Sequence, residues 1–255
     1  MRKNRKRIRI IKIIIYIVLA IIILSAFLSF VFFTSVFSIK EIQVINNSKV
    51  DTETIIQQSG IQTGKNLFLV NEDKVRNNLK QIPFIESVTI NKKIPNKVEI
   101  DIKERIAYLL IKVSEDYYAI DKNGMILEKV ENLDNNSSII VVLSNELDNI
   151  TVGSFLSEKE IEKITIVESI LQVAESNDMS GLITQFDITN EQNIIIEIAS
   201  ESKRAYLGSF SDDINLNFKF FWLKTMLEQE KGKSGIIYLN GDLNKSKVVF
   251  SEQNL

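Results

Sequence analysis

Ile13–Phe33 reads IIIYIVLAIIILSAFLSFVFF, a run without a charge, a proline or a glycine. As a helix rising about 1.5 Å per residue, it spans about 31 Å, close to the roughly 30 Å hydrocarbon core of a bilayer. On its N-terminal side lie Arg2, Lys3, Arg5, Lys6, Arg7, Arg9 and Lys12, with no acid among them. This basic tail, residues 1–12, is expected at the membrane surface, where each cation gains about 1 kcal/mol from anionic lipid. Seven of the 31 basic residues sit in it, so the other 24 face all 33 acids and leave the rest of the chain at about −9. Positive charge beside a first spanning helix stays cytoplasmic, which predicts a single-pass protein with its N-terminus inside and its larger part extracytoplasmic. A cleaved signal peptide would carry an apolar region of about 7–15 residues and a small-x-small site. Here the run is longer, phenylalanines 27, 30, 32, 33 and 37 crowd its outer end, and the small pair Ser25–Ala26 lies inside it. The expectation is an uncleaved transmembrane helix over residues 13–37.

Beyond the helix, roughly 215 residues are too many for one small domain and suit two. The chain has no cysteine, so an extracytoplasmic part must be held by its core alone. It has no histidine, which removes the commonest general base and metal ligand, and with them most hydrolase and metalloenzyme readings. No catalytic residue, metal or cofactor is expected.

Over residues 38–105 the periodicities give β-α-α-β-β. Ile42 and Val44 alternate with Glu41 and Gln43 as a strand. Asn46–Asn47 is a turn pair, Asp51 caps a short helix with Ile55 and Ile56 inward, and Gly60 ends it. Leu67–Val70 is a short apolar segment. Asn71 caps a second helix, with Glu72 and Asp73 at its dipole and Val75, Leu79 and Ile82 in one stripe, and Pro83 stops it. Val88 and Ile90 then alternate with Ser87 and Thr89. Val98, Ile100 and Ile102 alternate with Glu99, Asp101 and Lys103, the cleanest strand signal in the chain. A three-stranded sheet with one face covered by two short helices satisfies these patterns.

That order, just outside a single N-terminal anchor, resembles a POTRA domain of the FtsQ/DivIB cell-division family. The matching pieces are Ile39-Lys-Glu-Ile-Gln-Val44, Gly64-Lys-Asn-Leu-Phe68, Leu79 through Pro83, and Ile94-Pro-Asn-Lys-Val-Glu-Ile100 running into Glu104-Arg105. Asn46–Asn47 stands where the family often has a glycine-containing turn, and asparagine tolerates the positive φ.

Residues 106–251 read as a β-rich mixed α+β domain, with a tail at 252–255. Strands are expected at Ile106–Val113, Tyr117–Ile120, Met125–Val130, Ile139–Leu143, Leu182–Thr189, Asn193–Ala199, Arg204–Leu207, Ile236–Leu239 and Lys247–Phe250. Asp121-Lys-Asn-Gly124 is a hairpin turn rather than a calcium loop, since Met, Ile and Leu follow it. Ser157 with Glu160 is a capping box opening a helix with Ile161, Ile164, Val167, Leu171 and Ala174 inward. The last helix repeats Leu216, Phe220, Leu223 and Leu227, with Phe221 and Trp222 widening its buried face. Asp212–Asp213 read as its charged first turn. The family resemblance continues through Tyr118–Leu127, Leu207-Gly208 and Gly235-Ile-Ile-Tyr-Leu239, and so covers nearly the whole chain. The fold class expected is α+β, with one transmembrane helix, a POTRA-type domain and a β-rich domain.

Gly232-Lys233-Ser234 lacks the first glycine of a phosphate loop, which would fall at Leu227 inside a helix. Ser35 and Ser38 lack the Met and Pro of a signal-peptidase setting. What the resemblance implies is a scaffold without catalysis. Its partners would be FtsL-like and FtsB/DivIC-like coiled-coil proteins and a penicillin-binding protein of the septum, with no nucleic acid and no small-molecule substrate. It would act at the division septum in septal peptidoglycan synthesis. Docking is implied at the C-terminal strands, through Ile237, Tyr238, Leu239, Val248 and Phe250, because a final strand tends to be a sheet edge. An anchored extracytoplasmic sensor or a secretion-complex subunit built on the same module is the alternative.

Overall fold

The computed structural model describes residues 2–131, 133, 140–142, 150–198, 202–210, 216–241 and 248–253, with side chains from Ile11 onward. The chain forms two compact units, Met1–Glu104 and Arg105–Leu255.

The first unit opens with α1 (Arg2–Phe33). Its Ile11–Phe33 segment is long and apolar enough to cross a membrane and is not covered by protein. Polar groups along it are satisfied locally: the Ser25 hydroxyl donates to the Ile22 carbonyl at 2.8 Å, and that of Thr34 to the Phe30 carbonyl at 2.6 Å. The α-helix stops at Phe33 rather than Phe37, and Ser35–Phe37 form a 3-10 turn.

The remainder of this unit is the expected β-α-α-β-β arrangement. β1 (Glu41–Ile45), α2 (Thr52–Ser59), a 3-10 turn at Leu67–Leu69, α3 (Glu72–Leu79), β2 (Ile85–Lys93) and β3 (Lys97–Glu104) follow in order. β3 lies in the middle of the sheet, parallel to β1 and antiparallel to β2. The local signals explain the helices. Asp51 accepts from the Thr54 N–H at 2.9 Å and Asn71 from the Lys74 N–H at 3.0 Å, which satisfies donors at each helix start. Gly60, at φ +70°, ends α2 in the left-handed region. Asn46 takes φ +63° in the turn after β1, and its side chain donates to Asp101 on β3 at 2.8 Å. Val88 and Ile90 on β2, Val98, Ile100 and Ile102 on β3, Ile55 on α2 and Val75 and Leu79 on α3 form one core. Full burial of each such side chain contributes about 1.5–3 kcal/mol.

Ile39, 1% exposed, is held outside the ladder. Its N–H donates to the Lys65 carbonyl and its carbonyl accepts from Gly64, both at 2.8 Å. At the other end, one carboxylate closes the domain. Glu104 accepts the backbone N–H groups of Ser48, Lys49 and Val50 at 3.0, 2.8 and 2.9 Å. Burial pushes this carboxyl up, but the amides of Lys49, Val50 and Ser48 outweigh it and hold its pKa below the ordinary 4.5.

The second unit holds a nine-stranded mixed sheet, ordered β12-β11-β10-β9-β8-β7-β4-β5-β6. Its strands are β4 (Leu109–Val113), β5 (Asp116–Ile120), β6 (Ile126–Val130), β7 (Ile140–Val142), β8 (Gln185–Asp187), β9 (Ile194–Ile198), β10 (Lys203–Gly208), β11 (Gly235–Tyr238) and β12 (Val249–Glu252). α4 (Glu158–Ser176) and α5 (Leu216–Gln229) supply Ile164, Val167, Ile170, Phe220, Leu223 and Leu227 to the core against one face of the sheet. Ser157 caps α4, accepting from the Glu160 N–H, but the Glu160 carboxylate turns to Lys163, so only half of the expected capping box forms. Asp121 organises the hairpin turn: one oxygen accepts from the N–H groups of Asn123 and Met125, and the other takes the Arg105 guanidinium at 2.6 Å. Both carboxylate oxygens are thus used by the protein itself.

Several expectations differ from the structure. β4 begins at Leu109, and Ile106 is exposed, because no partner strand reaches it. Ser180–Leu182 is a 3-10 turn, which leaves only Gln185–Asp187 as strand. On α4, Ile170 takes the fully buried place expected for Leu171, and the ion pair Glu160–Lys163, 3.5 Å apart, is buried nearer the start of the helix. Phe221 points outward, 57% exposed, and stacks on Phe218. Asp212–Asp213, Ile139, Leu143, Ala199, Lys247 and most of the 132–138 loop lie outside the described residues.

Because the Glu104 pKa is lowered by folding, its stabilisation is present above about pH 4.5 and lost as pH falls through the folded value. Glu104→Gln should therefore speed amide exchange at Ser48, Lys49 and Val50 at neutral pH. It should also flatten the acid-induced loss of protection in the first unit between about pH 5 and about pH 3. Hydrogen exchange read by mass spectrometry checks both.

Candidate functional site

The nine-stranded sheet has two edges, β6 and β12. The start of β6 is covered. Ile126 N–H donates to the Ser154 carbonyl at 2.9 Å, its carbonyl accepts from Gly153 at 2.8 Å, and Leu156 N–H donates to the Gly124 carbonyl at 2.8 Å. β12 pairs, among the described residues, with β11 alone.

The pairing register shows which groups β12 offers. Gln253 N–H donates to the Ser234 carbonyl at 3.0 Å, so 234 and 253 form a hydrogen-bonded pair. Antiparallel alternation then makes Ile236–Ser251 and Tyr238–Val249 hydrogen-bonded pairs as well, and turns the N–H and C=O groups of Phe250 and Glu252 away from β11. These outward groups are where a further strand would add.

The same register brings together side chains that lie far apart in sequence. Ile195 pairs with Tyr206, Tyr206 with Tyr238, and Tyr238 with Val249. Directly paired residues share a face. They therefore form an apolar row across β9, β10, β11 and β12, on the face opposite the one that packs against α4 and α5. Ile195, Tyr206 and Tyr238 are half-buried, Val249 is exposed, and the two tyrosine rings stack at 5.4 Å. The neighbouring row is more polar: Arg204 reaches Glu197 at 2.8 Å, beside Ile236 and Ser251.

Of the five residues expected at a partner surface, only Tyr238 has its side chain on this outer face. Ile237 and Leu239 are fully buried in the core, because alternation turns the neighbours of Tyr238 inward. They hold β11 in place and present no side chain to a partner. Val248 and Phe250 are half-buried and pack against the same core. The sequence reading missed Ile195, Tyr206, Arg204 and Val249. Their grouping depends on the pairing of four strands, a non-local fact. At the membrane end, the backbone of Arg2, Lys3, Arg5, Lys6, Arg7 and Arg9 lies in the first turns of α1, and Lys12 is exposed.

Close packing of the edge depends on Gly235. A Cβ there would lie 2.3 Å from the Ser251 carbonyl oxygen and 2.9 Å from the Phe250 ring. No larger residue leaves β12 where it is.

The FtsQ-type POTRA family model matches residues 37–105, which span the three-stranded domain. The chain is 34% identical over 160 residues to cell division protein DivIB of Clostridium botulinum strain Hall, covering 63% of this chain and 62% of that protein. It is 30% identical over 215 residues to DivIB of Clostridium tetani, covering 84% of this chain and 79% of that protein. The chain belongs to the DivIB/FtsQ family of cell-division proteins. Similarity to family members named FtsQ is shorter: 29% over 92 residues with that of Corynebacterium glutamicum, 36% of this chain and 41% of that protein. The family assignment thus rests on the similarity to the Clostridium tetani DivIB over most of the chain, with the POTRA model matching residues 37–105.

Gly235→Ala should displace β12 and leave the rest of the second unit folded. Amide exchange should rise at residues 235–238 and 249–252, while Trp222 fluorescence stays native. Unchanged exchange at the edge would show that β12 can shift to admit a methyl group.

Proposed function

We propose that the chain is a membrane-anchored, non-catalytic scaffold of the bacterial division machinery. α1 and its basic tail hold it at the membrane with the N-terminus cytoplasmic. The second unit offers β12 and the row Ile195–Tyr206–Tyr238–Val249 to another septal membrane protein. The observation that carries this reading is the edge that β12 forms among the described residues, with outward backbone groups on Phe250 and Glu252 beside a half-buried stacked tyrosine pair. Backbone pairing would give affinity, and the tyrosine face would give selectivity. The partners that fit the family are FtsL-like and FtsB/DivIC-like coiled-coil proteins, and through them a septal penicillin-binding protein. By holding these together, the scaffold would act in septal peptidoglycan synthesis.

The scheme asks for no bond chemistry from this chain. Its work is differential association: the anchor confines both partners to one plane, which raises their effective concentration.

Two substitutions test the docking surface. Tyr238→Asp places a charge in the apolar row and should weaken binding of an FtsB/DivIC-like partner by about tenfold or more, roughly 1.4 kcal/mol. Glu252→Pro removes an N–H that points away from β11, so the protein's own ladder survives while strand addition does not. Binding is read by co-purification of full-length proteins, with circular dichroism as the control for folding. Native affinity in both variants would remove β12 from consideration. An N-terminal fluorescent fusion, beside a copy truncated after Lys233, tests the setting. A midcell band fits the scaffold, and an even membrane distribution fits a sensor.

A further inference from the structure

The Ile11–Phe33 segment of α1, at about 1.5 Å per residue, is about 35 Å long, so Phe33 stands at the boundary of a roughly 30 Å hydrocarbon core. The three-stranded domain is fastened to that end. Asn66 Nδ2 donates to the Val31 carbonyl at 2.8 Å, which satisfies a helix-terminal acceptor. Asn66 also bridges to Ser38. The Phe37 ring lies 6.0 Å from that of Phe30 and 5.3 Å from that of Phe68, in edge-on and tilted contacts. Val31 is two residues inside the apolar segment. A group hydrogen-bonded to it therefore lies at the depth where the helix leaves the hydrocarbon.

The residues next to Asn66 form the Leu67–Leu69 3-10 turn. Leu67 is fully buried in the domain core, whereas Phe68 is 40% and Leu69 67% exposed. Val36 and Phe33, which follow the same helix end, are 44% and 88% exposed. Two segments joined through the Asn66–Val31 and Phe37–Phe68 contacts thus carry four large exposed apolar side chains. Lys40 and Lys65, both exposed, border them in sequence, with stems long enough to reach lipid phosphates.

We infer that the Leu67–Leu69 turn is a second membrane contact, in which Phe68 and Leu69 enter the headgroup–acyl boundary of the leaflet where α1 ends. The occupant is lipid, because the contacts to Val31 and Phe37 fix the depth of the turn. The inference rests on reading α1 as a spanning anchor. It makes the first domain an interfacial body, seated on the bilayer by an aromatic and an aliphatic side chain in addition to its covalent tether.

The absence of cysteine makes the test clean, since one introduced thiol is unique. Full-length Leu69→Cys, Thr89→Cys and Leu19→Cys proteins are labelled with an environment-sensitive fluorophore. They are reconstituted in phosphatidylglycerol–phosphatidylcholine vesicles carrying shallow or deep nitroxide lipids. Leu69 is exposed, so its replacement leaves the core intact, and Thr89 is an exposed position on β2. The label at 69 should be blue-shifted, quenched by the shallow nitroxide and shielded severalfold from aqueous iodide relative to the label at 89. The label at 19 should be quenched by the deep nitroxide. If 69 behaves like 89 while 19 is deeply quenched, the second contact is wrong and the anchor stands. If 19 escapes the deep nitroxide, the anchor reading falls and takes the second contact with it.

Discussion

β3 is hydrogen-bonded along both edges, parallel to β1 and antiparallel to β2. The first domain cannot close without it, because the sheet has no other connection between its outer strands. Its inward face, Val98, Ile100 and Ile102, is almost wholly removed from water beneath α2 and α3. Its polar side chains do different work, Asp101 on the outward face and Glu104 at the end of the inward row. Asp101 receives the Asn46 side chain and so fixes the turn after β1, and Glu104 gathers three consecutive amides of the loop that follows. A single strand therefore supplies the hydrophobic face, the ladder and the polar ties. Both ties are charge-assisted, Asp101 taking a side-chain amide and Glu104 backbone donors that would otherwise be left to water.

The second domain solves a different problem. A nine-stranded sheet must end somewhere, and each end is a row of unsatisfied backbone groups. One end is folded over by the 153–156 segment. The other is left as β12, held to β11 through a glycine that admits a carbonyl oxygen where any side chain would stand. The start of β6 is thus covered, whereas β12 pairs, among the described residues, with β11 alone, an asymmetry between the two edges of the sheet.

Much of this was legible from the sequence, and what was legible was local. Asp51, Asn71 and Ser157 bond to amides three residues away, so their caps can be read from spacing. Val98–Ile102 shows its face by alternation alone. The position of the edge was inferred from chain order, since a final strand often lies outermost. What escaped was set by distant pairing. Glu104 bonds across more than fifty residues, and the tyrosine row depends on which strands become neighbours. In α5 the signal itself was saturated. Apolar residues stand at 216, 218, 220–223 and 226–227, so no period could assign Phe221 to the outside. The burial of Glu160 and Lys163 left no local mark either: charge speaks for exposure, yet their long stems pack inward while the heads pair.

The bond from Asn66 to the Val31 carbonyl also bears on rotation. A lone apolar helix in lipid is free to spin about its own axis, because every stripe of its surface is equally soluble. Here a folded domain grips one carbonyl near its end, with Phe37 wedged between Phe30 and Phe68. The azimuth of α1 is thereby set from outside the hydrocarbon. Which stripe of the helix lies on which side of the three-stranded domain is decided by the packing of that domain and not by the helix surface.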